Sequence, residues 1–136
     1  MTGSAEHPIP GVGVVVLQDE SILLVERGRG ALAGKWAVPG GKVGYGETMC
    51  EAAVREVLEE TGLVVEVGDV VWTGETIGPG TPPAWHFVLV DFMARVVGGD
   101  LQASDDAADA RFVQLSEVRE LPLTPTMFDL LDVLGV

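Results

Sequence analysis

The chain has 136 residues, 47% of them hydrophobic, which is enough for one compact domain with a real core, and no break in composition divides it. Eight basic residues stand against 21 acidic ones, a net charge of −13 with no concentrated basic patch, so a nucleic-acid polymer is excluded as partner while a small phosphate compound neutralised by cations is not. Met1 to Pro10 lacks the basic start and apolar run of a signal peptide, no apolar stretch is long enough for a membrane span, and Cys50 is the only cysteine. The expectation is a single cytoplasmic domain over residues 1–136, with 1–9 flexible and no membrane partner; assembly as a homodimer stays open.

Gly11 to Leu17 and Ser21 to Glu26 are aliphatic runs separated by Gln-Asp-Glu, which predicts an antiparallel hairpin near the centre of a sheet. Gly28 to Gly34 is a small-residue loop, and Lys35 to Val38 is a short strand stopped by a sharp turn at Pro39-Gly40-Gly41. A helix is predicted from Glu47 to Thr61, ended by Gly62, with Cys50, Ala53, Val54, Val57, Leu58 and Thr61 on its apolar face. Cys50 is accordingly placed in the core. Val64 to Thr76 is a strand bent at Gly68 and Gly74, and Gly78 to Pro83 is irregular. His86 to Val97 is a long strand, Gly98-Gly99 turns, and Arg111 to Leu115 is a strand after the acidic loop Ser104-Asp105-Asp106. Thr124 opens a last helix with Pro125 in its first turn and Met127, Leu130, Leu131 and Leu134 at helical spacing. Periodicity by itself gives a fold of mixed α and β elements.

The chemistry lies in Gly41 to Leu63, GKVGYGETMCEAAVREVLEETGL. At 100° per residue, Glu56, Glu59 and Glu60 fall within an arc of about 100° on one helix. Like charges one turn apart repel. An oxygen-only set of this density suits a hard divalent cation, Mg²⁺ or Mn²⁺, with substrate phosphates and water at its other positions. A solvated acidic helix face is the competing reading.

This segment resembles the Nudix hydrolase signature, G-x5-E-x7-R-E-U-x-E-E-x-G-U with U aliphatic, at every fixed position: Gly41, Glu47, Arg55, Glu56, Val57, Glu59, Glu60, Gly62 and Leu63. By chance such a match arises with probability on the order of one in ten million. The flanks, LLVERGRGALAGKWAVPGGKV and DFMARVVGGDLQASDDAADARFVQL, extend the resemblance over most of the chain and look most like ADP-ribose pyrophosphatase-type members. Gly44-Tyr45 departs from the acidic residue and proline found in many relatives.

The resemblance implies an α/β/α sandwich with a mixed central sheet, and cleavage of a nucleoside diphosphate linked to a second moiety by metal-activated water. It implies Glu56, Glu59, Glu60 and the Gly40 carbonyl as metal ligands, Arg55 as orienting partner of the glutamates, and Gly41, Glu47 and Gly62 as structural members of the motif. Glu59 is the first choice for the water's base within the helix; Asp105 and Asp106 are the loop alternatives for base or substrate contact. Arg27 and Arg29 are candidates for a phosphate, and Trp85 and Phe87 for stacking on a base. Trp36 is expected to pack under the glycine loop. His86, with no second histidine near it, is read as a core or rim residue, and His7 lies in the flexible start. A small nucleotide is the expected partner, ADP-ribose the first candidate. Pyrophosphate release from a noncanonical or oxidised nucleoside triphosphate is the alternative, and a nucleotide-sensing module the non-enzymatic one.

Overall fold

In the computed structural model, which describes residues 7–30, 32–103 and 107–136, the apolar run at the start becomes strand β1, Ile9–Gln18. Val12, Val14 and Val16 point to one side of the sheet and Val15 to the other, all nearly or fully buried. That two-sided burial explains an unbroken apolar run where a half-exposed strand would alternate. Strand β2, Ser21–Arg27, follows the same logic: Leu23 joins the first core, and Ile22 and Leu24 the second.

The remaining elements are β3 (Trp36–Ala37), β4 (Gly40–Lys42), α1 (Met49–Thr61), β5 (Leu63–Ile77), β6 (His86–Gly99), β7 (Ala107–Gln114), a short 3₁₀ turn at Val118–Glu120 and α2 (Pro125–Leu134). The strands of the described residues form one seven-stranded sheet in the order β3-β2-β1-β6-β5, with β4 beside β1 and β7 beside β2. Strands β1 and β6 run parallel from Ile9 against Phe87 to Val16 against Ala94, and the other pairs are antiparallel. Helix α1 covers one face through Ala52, Ala53 and Val57, and α2 the other through Met127, Leu130 and Leu131. The fold is an α/β/α sandwich with a mixed central sheet, as the motif's resemblance implied.

Several local expectations need correction. The β1–β2 hairpin is paired only at Leu17–Ile22 and Gln18–Ser21, because β4 and β6 flank the rest of β1 while β3 and β7 take β2. Pro39-Gly40-Gly41 is no plain turn. Gly40 and Gly41 pair with Gly13 and Val12, and a Cβ on Gly40 would collide with the Val12 carbonyl. Helix α1 begins at Met49, with Thr48 as N-cap in a reciprocal capping box with Glu51, which leaves Glu47 outside the helix. Cys50 is exposed, because the whole first turn, Met49 to Glu51, projects past the core; Leu58 is half exposed at the edge of the stripe. Gly98 and Gly99 stay in β6, opposite Val64 and Leu63, and Gly99 lacks a side chain where one would strike the Gly62 carbonyl. Strand β7 starts at Ala107, four residues before the sequence expectation. In β5 the register shifts between Val67 and Val70, around Gly68, whereas Gly74 stays in register and makes room for the Trp72 indole. Of residues 1–9, the first six lie outside the described residues and Ile9 already opens β1.

Candidate active site

Arg55 is the hub of the acidic helix. Its Nε and Nη2 donate to Glu47 Oε2 and Oε1 at 2.7 and 2.9 Å, Nη1 donates to Glu56 at 2.7 Å and Glu59 at 3.1 Å, and Nη2 reaches the Lys42 carbonyl at 3.0 Å. Glu47 in turn accepts the Gly44 N–H at 2.8 Å, tying the glycine loop to the helix. The Arg55 hydrogen bonds hold the Glu47 carboxyl down at about 2, and the same contacts, Glu47 first, push the guanidinium still higher. Both groups stay charged at any working pH.

The other carboxylates sit in unlike surroundings. Glu60 accepts the Gly40 N–H at 2.8 Å, yet burial outweighs that bond and pushes its carboxyl up to about 7. Burial also raises Glu56, against the pull of Arg55. Glu59 extends from the helix with more than half of its side chain exposed. The Glu56 carboxylate lies against Gly41, where a Cβ would come within 2.5 Å of its carboxyl carbon, so only glycine leaves that space. Among the described residues no three His, Cys, Asp or Glu side chains converge into a ready cage. Arg55 occupies part of the space between Glu56 and Glu59.

Beside this helix runs a cleft of about 670 Å³ on the α2 side of the sheet. Gly40, Gly41 and Glu60 stand at its walls with Arg27, Arg29, Trp85 and Phe87. The candidates drawn from distant parts of the sequence therefore share one cavity, except Glu47, Arg55, Glu56, Glu59 and Gly62, which lie outside its lining, and Asp105 and Asp106, which lie outside the described residues. Trp36 is buried in the core under α2, with the Arg111 guanidinium 4.5 Å above its ring. His86 is a rim residue: its Nε2 is buried without a hydrogen-bond partner among the described residues, 3.8 Å from a Glu75 oxygen.

Sequence reasoning missed the cleft's floor. Asp91 on β6 is 7% exposed and lines the cleft with no hydrogen-bond partner among the described residues, and burial lifts its carboxyl to about 6. A Cβ on Gly13 would collide with it. The readable signal was one acid inside the apolar run HFVLVDFM. Thr124, 6% exposed at the N-cap of α2, makes no capping hydrogen bond and also faces the cleft.

The NUDIX domain family model matches residues 7–134. The chain is 39% identical over 115 residues to an ADP-ribose pyrophosphatase of Methanocaldococcus jannaschii, covering 85% of this chain and 67% of that protein. It is 32% identical over 115 residues to a putative 8-oxo-dGTP diphosphatase 2 of Mycobacterium tuberculosis, covering 84% and 79% of the two. A crystal structure of a MutT NUDIX hydrolase from Burkholderia pseudomallei superimposes with a TM-score of 0.84 at 28% identity, covering 93% and 97% of the two chains. Some relatives are much longer, the chain spanning only 22% and 29% of two of them. The chain belongs to the NUDIX domain family and is a Nudix hydrolase, of a family that acts on phosphoanhydride bonds of small nucleotides. Among the described residues no helix is long and apolar enough to cross a membrane.

Proposed function

We propose that this protein is a Mg²⁺- or Mn²⁺-dependent cytoplasmic pyrophosphohydrolase that cleaves a nucleoside diphosphate linked to a second moiety, with ADP-ribose as its substrate. The observation that carries the reading is the meeting of Glu60 and Gly40 with Arg27 and Arg29 in one nucleotide-sized cleft. The similarity to an ADP-ribose pyrophosphatase over 85% of the chain supports the choice of substrate.

A divalent ion fits the residues present. Glu56 and Glu60 are carboxylates that burial makes costly to ionise, the donors are all oxygens, and the two reach the same short strand, Glu56 lying in the side-chain-free space at Gly41 and Glu60 bonded to the Gly40 N–H. Glu56, Glu59, Glu60 and the Gly40 carbonyl would hold it. When bound, it neutralises the diphosphate and lowers the pKa of a coordinated water.

The chain's own side chains supply the rest. Arg55 fixes the Glu56 and Glu59 carboxylates through its Nη1, so their oxygens are oriented before substrate arrives. Glu59, the most exposed of the three, takes the proton from the attacking water. Arg27 and Arg29 hold the phosphate oxygens at the mouth of the cleft, and Trp85 and Phe87 form an apolar wall against the nucleoside.

The test is a comparison of kcat/KM for ADP-ribose and for nucleoside triphosphates, including 8-oxo-dGTP, under Mg²⁺ with products identified. AMP and ribose 5-phosphate from ADP-ribose, at the highest efficiency, are expected. Pyrophosphate as main product, or any triphosphate turned over more efficiently, replaces this reading with hydrolysis of oxidised nucleotides, which the similarity to the 8-oxo-dGTP diphosphatase supports.

A further inference from the structure

A carboxylate more than nine-tenths buried, open to a cavity and without a partner among the described residues, is costly to keep unless something that donates to it arrives. Asp91 is such a group, and its surroundings narrow what the donor can be. On one side its strand neighbour is Gly13, whose missing side chain leaves the space that the Asp91 carboxylate itself fills, and the Leu89 side chain lies over Gly11 in the same way. On the other side its neighbour across β5 is Trp72, while Leu89 continues the apolar wall. The apolar surfaces of Trp72 and Leu89 beside the carboxylate suit the face of a flat ring. Arg27 lies in the same cleft and favours the phosphates; a phosphate beside Asp91 would be repelled.

We propose that Asp91 is a specificity-determining residue that accepts a hydrogen bond from the exocyclic amino group of a purine base, with the Thr124 hydroxyl as second polar contact in the same cleft. The inference rests on the nucleotide-hydrolase reading above, and it adds the direction in which the nucleotide lies: base edge at Asp91, phosphates towards Arg27. A ribose diol is the other common donor to a carboxylate, but the apolar walls beside Asp91 match ring faces rather than a sugar. Thr124 can donate or accept, so adenine and guanine both satisfy the pair, whereas hypoxanthine carries no amino group.

The experiment measures metal-free binding of AMP, GMP and IMP by quenching of tryptophan fluorescence, together with kcat/KM for ADP-ribose and its hypoxanthine counterpart. The wild-type protein is expected to prefer AMP, GMP or both over IMP by roughly 10- to 100-fold, the scale of a hydrogen bond to a charged group. Asp91→Asn, whose amide donates as well as accepts, is expected to bring that ratio within about threefold of unity. Its melting curve shows whether the variant folds. If it does not, Gly13→Ala, which displaces the carboxylate without removing it, takes its place and is expected to lower the ratio. An unchanged ratio in the folded variant overturns the assignment. So does a variant that alters the preference for ribose over 2′-deoxyribose and leaves the amino preference intact. If ADP-ribose is not hydrolysed but the GMP-to-IMP ratio collapses in Asp91→Asn, the base contact stands and the substrate reading falls.

Discussion

Arg55 and Glu47, eight residues apart, are joined by two hydrogen bonds of 2.7 and 2.9 Å, although Glu47 lies before the helix and Arg55 within it. The pair bolts the glycine loop to the helix that carries Glu56, Glu59 and Glu60. Lysine has neither the paired N–H groups nor the reach to serve three carboxylates at once. Arg55→Lys is expected to lower kcat about 10- to 100-fold with a small change in melting temperature, and Arg55→Ala to lower both. Equal losses of Tm in the two variants would mean that the arginine serves the fold alone.

Glu59→Gln and Glu60→Gln are each expected to lose roughly two to four orders of magnitude in rate while staying folded. In Glu60→Gln the new amide oxygen can still accept the Gly40 N–H, and removing a buried carboxyl charge favours the folded state. Asp105→Asn and Asp106→Asn should cost less than about a hundredfold, since the helix supplies the base in this reading. Turnover and melting temperature measured on the same samples decide the matter; full activity in both glutamate variants refutes the site.

The pH dependence of stability has a definite sign. Glu60 and Asp91 hold protons more tightly folded, near 7 and 6, than their ordinary values of 4.5 and 3.8. Their stabilising contribution is complete below about pH 4 and is lost as pH rises through 6 and 7, on the order of 3 kcal/mol each. Glu47, shifted downward to about 2, acts only below pH 4.5 and in the opposite sense. In chelator the melting temperature should fall between pH 5 and pH 8, and Mg²⁺ should restore it at the upper end. Repulsion within a chain of net charge −13 acts in the same direction, so Glu60→Gln is the control: its profile should be flatter. A profile of the same slope in that variant rules out the Glu60 contribution.

Gly40 and Gly41 should respond differently to alanine. At Gly41 the new Cβ meets the carboxyl end of the Glu56 side chain at 2.5 Å, and at Gly40 it meets the Val12 backbone. Gly41→Ala is therefore expected to weaken Mg²⁺ affinity at least about tenfold with little loss of stability. Gly40→Ala should separate β4 from β1 and cost about 2 kcal/mol or more. Calorimetric titration of the metal and chemical denaturation distinguish the two.

What was legible in the sequence followed how local each signal was. The signature residues and the two-sided valine run of β1 were readable because spacing alone carries them. Cys50 and Leu58 were misplaced because a helical wheel gives the phase of the apolar stripe and not how far the core extends beneath it. Thr48 and Glu51 held a readable capping box, and using it would have set the helix start correctly. Gly98-Gly99 looked like a turn because glycine permits one, but their use is close approach to the Gly62 cap, which only the fold reveals. Asp91 was passed over because its partner surface comes from β1 and β5, far away in sequence.

Strand β1 inserts Val14 and Val16 into the core beneath α1 and Val15 into the core beneath α2, and its glycines also pave the cleft. Neither layer can melt without withdrawing side chains the other depends on. Loss of structure must then be all-or-none, with no partly melted species that keeps a working cleft, and a nucleotide held there braces the whole molecule at once.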